Sequence, residues 1–272
     1  MSRRKFARPA PDVRRGVPFT IATGAAELRD EPDGTTFLWV NDVPSSPLHP
    51  DPEVLDFEYM RHLSAAVAAW SPPARMLALH VGAAACTFPR HLAHRYPDSG
   101  HIAVDIDATL PELVRTWWDL PRSPRLRIRE QDGLAALESR RDRSLDLVVR
   151  DAFAGDTTPA HLATPEWWGH ARRALRPGGL VLANVGTRPG AVSPDAAAAR
   201  AAFGAAVAIG EHAVLRGKRR GNVVLAAVRP ADDAAAGDDA GAGTATGLDV
   251  DALRRYASSA PLPTGVDPNW RG

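Results

Sequence analysis

The sequence has a single cysteine, Cys86, among 272 residues. That excludes an intramolecular disulfide and points to a reducing compartment. In its apolar turn, Cys86 reads as a buried, inert thiol. Net charge is equally scarce: 33 Lys and Arg stand against 32 Asp and Glu, which removes any global electrostatic case for nucleic acid. Long apolar runs are missing too, since nothing approaches the ~18 consecutive residues of a membrane span. Residues 1–16 carry Arg3, Arg4, Lys5, Arg8, Arg14 and Arg15 without an apolar stretch behind them, so they read as a disordered basic tail and not as a secretory signal. These absences together predict a cytoplasmic protein with neither nucleic-acid nor membrane partners. The length suits one large domain with appendages.

What is present is a repeated arrangement of apolar runs and turns. Met76-Leu-Ala-Leu-His-Val-Gly82-Ala-Ala-Ala-Cys86 stops at a small-residue turn, and His101-Ile-Ala-Val-Asp105-Ile-Asp107 ends a second apolar run in acids. A strand, a small-residue turn, a helix and an acid-tipped strand are the beginning of a nucleotide-binding α/β sheet. The pattern predicts strands over 76–81, 101–105, 126–129, 145–150 and 180–184, then a terminal pair near 212–215 and 222–228. Helices are predicted over 88–95, 109–118, 134–137, 165–175 and 194–209. The fold class is therefore α/β, with parallel strands, crossover helices and an antiparallel edge.

Other segments flank this unit. Short apolar stretches around Asp33-Gly34 predict a hairpin region over 17–50. Residues 56–70 have helical spacing and stop at Pro72-Pro73, which places a helix at the entrance of a main domain over 51–230. Residues 231–272 read as an Ala/Gly/Asp linker and a tail, with a short helix over 248–256.

In an open α/β sheet a ligand lies across the carboxyl ends of the strands. The candidates are the residues just past each run: Gly82 and Ala83 after the first, Asp105, Ile106 and Asp107 after the second, Asp132 and Gly133 after the third, Asp151 and Asp156 after the fourth. A small-residue turn lets a helix N-terminus approach a ligand, and an acid at the next strand tip can accept two ribose hydroxyl hydrogen bonds. Taken singly, each Asp is more readily a helix N-cap or a turn residue. Converging carboxylates, however, repel one another unless a cation or a hydroxyl-rich ligand lies between them. A positively charged adenosyl sulfonium meets both conditions. His91 and His94 share a helical face with no third ligand, so they read as exposed helix residues and no metal is expected. Trp117-Trp118 and Trp167-Trp168 read as core or interface aromatics. Residues 216–220, rich in Arg and Lys, read equally as an anion patch or a solvated turn.

An ordered set of short segments resembles the spermidine synthases and their relatives in the class I methyltransferase superfamily. It comprises Asp51-Pro-Glu-Val-Leu-Asp-Phe-Glu-Tyr-Met-Arg, Leu79-His-Val-Gly, Val104-Asp-Ile-Asp, Gln131-Asp-Gly, Asp151-Ala-Phe-Ala-Gly-Asp, Leu175-Arg-Pro-Gly-Gly and Leu215-Arg-Gly-Lys-Arg-Arg-Gly-Asn. The resemblance implies a small N-terminal β-hairpin domain, a Rossmann-like seven-stranded sheet and a homodimer. It also implies aminopropyl transfer from decarboxylated S-adenosylmethionine to a small-molecule amine. By the same resemblance Gly82, Ala83, Asp105 and Ile106 hold the nucleoside, with Asp105 on the ribose, while Asp132 and Gly133 lie beside adenine. Asp151 steers or deprotonates the attacking amine, and Tyr59, Ser46 and Asp156 flank the substrate, Asp156 as a second amine anchor.

The chain departs from the family pattern at several positions. Ala83, Ala84 and Ala85 replace turn glycines, and each methyl narrows the backbone's approach to a ligand. The family's Gln-Ser appears as Ser45-Ser46, His49 stands where Asp is usual, and Tyr59-Met60-Arg61 replaces a Tyr-His-Glu. An inward Arg61 would repel a diamine. Two alternatives follow from these departures. One is methyl transfer from S-adenosylmethionine, whose carboxylate would meet Arg90 or the turn amides. The other is a catalytically degenerate, dimeric nucleoside-binding protein.

Overall fold

The computed structural model describes residues 13–155, 157–188, 193–231 and 247–271. An N-terminal antiparallel sheet holds β1 (Phe19–Ile21), β2 (Gly24–Asp30), β3 (Thr36–Val40) and β4 (Val43–Leu48) in that order. It is a four-stranded meander and so more than the expected hairpin. Helix α1 (Glu58–Trp70) leads into the main unit. There β5 (Leu77–Val81), α2 (Thr87–Arg95), β6 (Gly100–Asp105), α3 (Leu110–Trp117) and β7 (Leu126–Glu130) alternate, followed by α4 (Gly133–Glu138) and β8 (Leu145–Arg150). A 3₁₀ turn (Ala160–Leu162), α5 (Pro165–Ala174), β9 (Leu175–Thr187), α6 (Pro194–Phe203), β10 (Val207–Glu211), α7 (His212–Leu215) and β11 (Gly221–Val228) complete the alternation. Helix α8 (Val250–Ser259) and β12 (Thr264–Asp267) close the described chain.

The large sheet runs β12-β10-β11-β9-β8-β5-β6-β7. Strands β9, β8, β5, β6 and β7 are mutually parallel, while β11, β10 and β12 are added antiparallel. The expected seven strands are thus joined by an eighth, β12, at the edge beyond β10. This corrects the reading of the C-terminal region as a tail. The chain winds outward from β5 through β6 to β7, then returns to place β8 on the other flank of β5. A crevice opens where the winding reverses, between the carboxyl ends of β5 and β8.

Apolar burial fixes the sheet between its layers. Trp167 and Trp168 on α5 are fully buried and meet edge to face at 5.2 Å, so truncating either to Ala costs about 3–5 kcal/mol. They enclose the guanidinium of Arg150, the last residue of β8, whose ion pair with Asp195 at 2.8 Å compensates its burial. The rigid end of β8 is what positions the next residue, Asp151.

Two expected elements shifted. Residues 194–209 were expected as one helix, but α6 stops at Gly204, whose φ of +83° ends the helix. The next residues form β10, and 212–215 become the helical α7 where a strand was expected. His91 is also buried, not exposed: Nε2 meets Ser64 Oγ and Nδ1 meets the Pro52 carbonyl, each at 2.9 Å. The early basic residues 1–12, Asp156 and residues 232–246 of the expected linker lie outside the described residues.

Candidate functional site

At the carboxyl ends of the parallel strands lies a cavity of about 1000 Å³. Its lining includes Ser46, Tyr59, Gly82, Ala83, Asp105, Ile106, Asp132, Gly133 and Asp151, while Asp107, also a strand-tip candidate, does not line it and Asp156 falls outside the described residues.

Gly82 is where β5 meets β8. Its φ is +85°, and a Cβ there would sit 2.2 Å from the Asp151 carbonyl oxygen, so only glycine permits this crossing. Ala84 and Cys86 also take positive φ, at 39° and 62°, a strain that glycine would not carry. The turn is held by neighbours. Asp105 Oδ2 accepts from the amides of Ala83 and Ala84 at 3.0 and 2.9 Å, and Oδ1 accepts from the Asp107 amide at 2.9 Å. The Ala85 amide donates to Ser46 Oγ at 3.3 Å. These turn amides are therefore spent inside the protein, contrary to the expectation that they face a ligand.

Two other strand-tip acids act as caps. Asp107 is 1% exposed; its Oδ1 accepts from the amides of Thr109 and Leu110, and its Oδ2 from the amide and hydroxyl of Thr23 at 2.7 and 2.8 Å. It ties the N-terminal sheet to β6. Asp132 Oδ1 caps α4 through the amides of Leu134 and Ala135, while Oδ2 meets His161 Nε2 at 2.7 Å. Backbone amides, the His161 hydrogen bond and its charge hold the Asp132 carboxyl below its ordinary value against the opposing effect of burial. Gly133 follows, where a Cβ would meet Val81 Cγ1 at 2.2 Å.

Asp151 differs in kind. Its amide donates to the Val81 carbonyl at 2.8 Å, but its carboxylate is held by side chains. Tyr59 Oη donates to Oδ2 at 3.0 Å and Asn184 Nδ2 donates to Oδ1 at 2.9 Å. Burial pushes the Asp151 carboxyl above its ordinary value, opposed by these two hydrogen bonds. Burial, then the Asp151 charge, raises the Tyr59 hydroxyl well above its own, so it remains a donor. Tyr59 comes from the first turn of α1 and Asn184 from β9. The sequence reading did not single out Asn184; a lone amide inside the apolar run Val-Leu-Ala-Asn184-Val was the available signal.

Two cations flanking the site, Arg61 and Arg90, are engaged by backbone carbonyls. Arg61 Nη1 donates to the carbonyls of Leu55 and Asp56 at 2.6 and 2.7 Å. Arg90 donates to the carbonyls of His49 and Pro50, both at 2.7 Å. Glu138, Glu166 and His170 are the one grouping among the described residues close enough to share a metal ion, and they do not line the cavity.

A chain described as a probable spermidine synthase from Corynebacterium glutamicum superposes with a TM-score of 0.78 at 30% identity, over 95% of this chain and 92% of that one. The chain belongs to the spermidine synthase-like family. A Thermotoga maritima spermidine synthase shares the fold at a TM-score of 0.57 and 16% identity, over 92% of this chain and 81% of that one. A curated relative, the polyamine aminopropyltransferase of Vibrio vulnificus, is 25% identical over 157 residues, 57% of this chain and 52% of its own length. The chain thus spans about half the length of that curated relative. No protein-family model matches the chain. The family's methyltransferase-type sheet agrees with the strand order found here. Among the described residues no helix is long and apolar enough to cross a membrane.

Proposed function

We propose that this chain transfers an aminopropyl group from decarboxylated S-adenosylmethionine to an amine, as its family resemblance implies. The observation that carries the reading is the Asp151 carboxylate just past β8, held by Tyr59 and Asn184, with burial raising its pKa above the ordinary value. An alkyl amine with a pKa of about 10 is mostly protonated at neutral pH. Asp151 first pairs with the ammonium form and then accepts its proton. The freed nitrogen lone pair forms a bond to the carbon beside sulfur, the carbon–sulfur bond breaks, and methylthioadenosine leaves with the electron pair.

The cavity residues suit an S-adenosyl nucleoside. Ile106 is 63% exposed on the cavity wall and offers an apolar platform for a base. Asp105 already accepts three amide hydrogen bonds, which leaves about one of a carboxylate's four acceptor positions, not two, for the ribose hydroxyls. Asp132 lies at the other side with Oδ2 shared with His161. Two spermidine-synthase and methyltransferase neighbours of the same fold are described in complex with AdoDATO and with SAH; both support an S-adenosyl-type ligand here.

Methyl transfer is less well supported, because it needs a partner for the methionine carboxylate. The expected ones, Arg90 and the turn amides, are engaged by carbonyls, Asp105 and Ser46. A homodimer and a cytoplasmic setting belong to the same proposal. The test is Asp151→Asn with methylthioadenosine release as readout. Turnover is expected to fall by roughly 10²–10⁴-fold with nucleoside binding retained; unchanged turnover would remove Asp151 from the reaction.

A further inference from the structure

Three cavity-lining residues carry a buried side-chain atom with no hydrogen-bond partner among the described residues: Asp56 Oδ2, His80 Nδ1 and Asn184 Oδ1. Buried polar atoms are ordinarily satisfied, so each such exception asks for a cause. His80 belongs to a neutral pair with His101, Nε2 to Nδ1 at 3.1 Å, and its free nitrogen is donor or acceptor according to tautomer. The other two atoms are acceptors whatever the tautomer.

Asn184 is 1% exposed and its Nδ2 is committed to Asp151, which leaves Oδ1 as an acceptor beside the carboxylate. An amine held by Asp151 has further N–H groups to offer, and Asn184 Oδ1 takes one of them. Asp56 lines the same cavity just before α1, three residues before Tyr59, whose hydroxyl meets Asp151. Arg61, on the same segment, spends Nη1 on the carbonyls of Leu55 and Asp56. Glu58, two residues after Asp56, is a further charged group of the lining. A carboxylate oxygen left buried without a partner is costly, and a cation is what offsets that cost.

We infer that Asp56 determines acceptor specificity: its carboxylate holds a second cationic nitrogen of the acceptor while Asp151 and Asn184 hold the reacting one. This rests on the transfer reading above. It gives Asp56 the anchoring role that the resemblance assigned to Asp156. A monoamine fills only the Asp151 end, so Asp56 contributes to diamines alone.

The test compares 1,4-diaminobutane with 1-aminobutane as acceptors, with decarboxylated S-adenosylmethionine and methylthioadenosine release as readout, for the full chain and for Asp56→Asn, Asp56→Glu and Glu58→Gln. Asp56→Asn is expected to raise the diamine KM by about tenfold or more, with kcat within about twofold and the monoamine kcat/KM unchanged. Asp56→Glu should restore most of the diamine preference. Equal losses for both amines, an unchanged diamine KM, or loss of the preference in Glu58→Gln but not in Asp56→Asn would overturn the inference while leaving the transfer reading in place. Absence of methylthioadenosine with the unaltered chain and both amines would overturn the two together.

Discussion

Asp107 and Asp151 occupy equivalent places, each just past a parallel strand, and they are used in opposite ways. Asp107 is surrounded by donors, three backbone amides and a threonine hydroxyl, so its charge is consumed by the fold. Among the described residues Asp151 receives two side-chain hydrogen bonds, and it is held above its ordinary pKa by burial. Position at a strand tip therefore does not separate a structural acid from a reactive one. The nature of the donors does: amides fixed by the backbone stabilise the anion permanently, whereas a buried carboxylate with sparse donors retains an appetite for a cation or a proton. Asp105 and Asp132 fall between: Asp105 has both oxygens on backbone amides, and Asp132 has one there and the other on His161.

The largest effect expected from breaking this contrast is at Asp107. Asp107→Asn turns an NH₂ toward donors that now lack an acceptor, and should lower stability by about 3 kcal/mol in denaturant unfolding; a loss confined to activity would contradict its structural role. Asp151→Asn should act in the other direction. A carboxyl whose folded pKa exceeds its unfolded value of 3.8 makes the native state bind more protons, so stability falls as pH rises from 3.8 through the raised value. Removing the charge relieves this burden, and thermal unfolding should show the variant more stable than the parent at pH 7, with the gap closing below pH 3.8. A variant less stable at pH 7 would mean that burial does not strain the carboxylate. The smallest effect belongs to Tyr59→Phe, which removes one hydrogen bond that favours the charged form. The acidic limb of the kcat/KM profile should move to higher pH and kcat/KM at pH 7 should drop by roughly threefold to tenfold. A profile that does not move would dissociate Asp151 from the proton transfer.

Much of this architecture was legible from strand tips. Apolar runs ending in small or acidic residues located β5, β6 and β8 to within a residue or so, because buried parallel strands are near-continuous apolar segments, and β7, which alternates apolar and charged residues at the sheet edge, was located as closely. The alanine-rich stretch around β10 was misread because Ala206-Val-Ala-Ile continues a helical composition, and the strand depends on sheet pairing with β11 and β12. Strand β12, between Pro263 and Pro268, offers four residues with no periodicity and exists through its pairing with β10. In the site, Asp151 and Tyr59 were recognisable by resemblance, whereas the commitment of the turn amides to Asp105 and Ser46 was not. Backbone direction in a turn of alanines is set by three positive φ values, which side-chain identity does not announce. Asn184 and Asp56 are equally invisible in sequence, since what marks them is a side-chain oxygen with no partner among the described residues.

The central claim is most directly tested by calorimetric titration of the full chain with decarboxylated S-adenosylmethionine, S-adenosylmethionine and methylthioadenosine in parallel. Because the groups that would receive a methionine carboxylate are already engaged, the decarboxylated form should bind in the micromolar range and at least about tenfold more tightly than the carboxylated one. Equal or tighter binding of S-adenosylmethionine, or no heat from any of the three, would contradict the account.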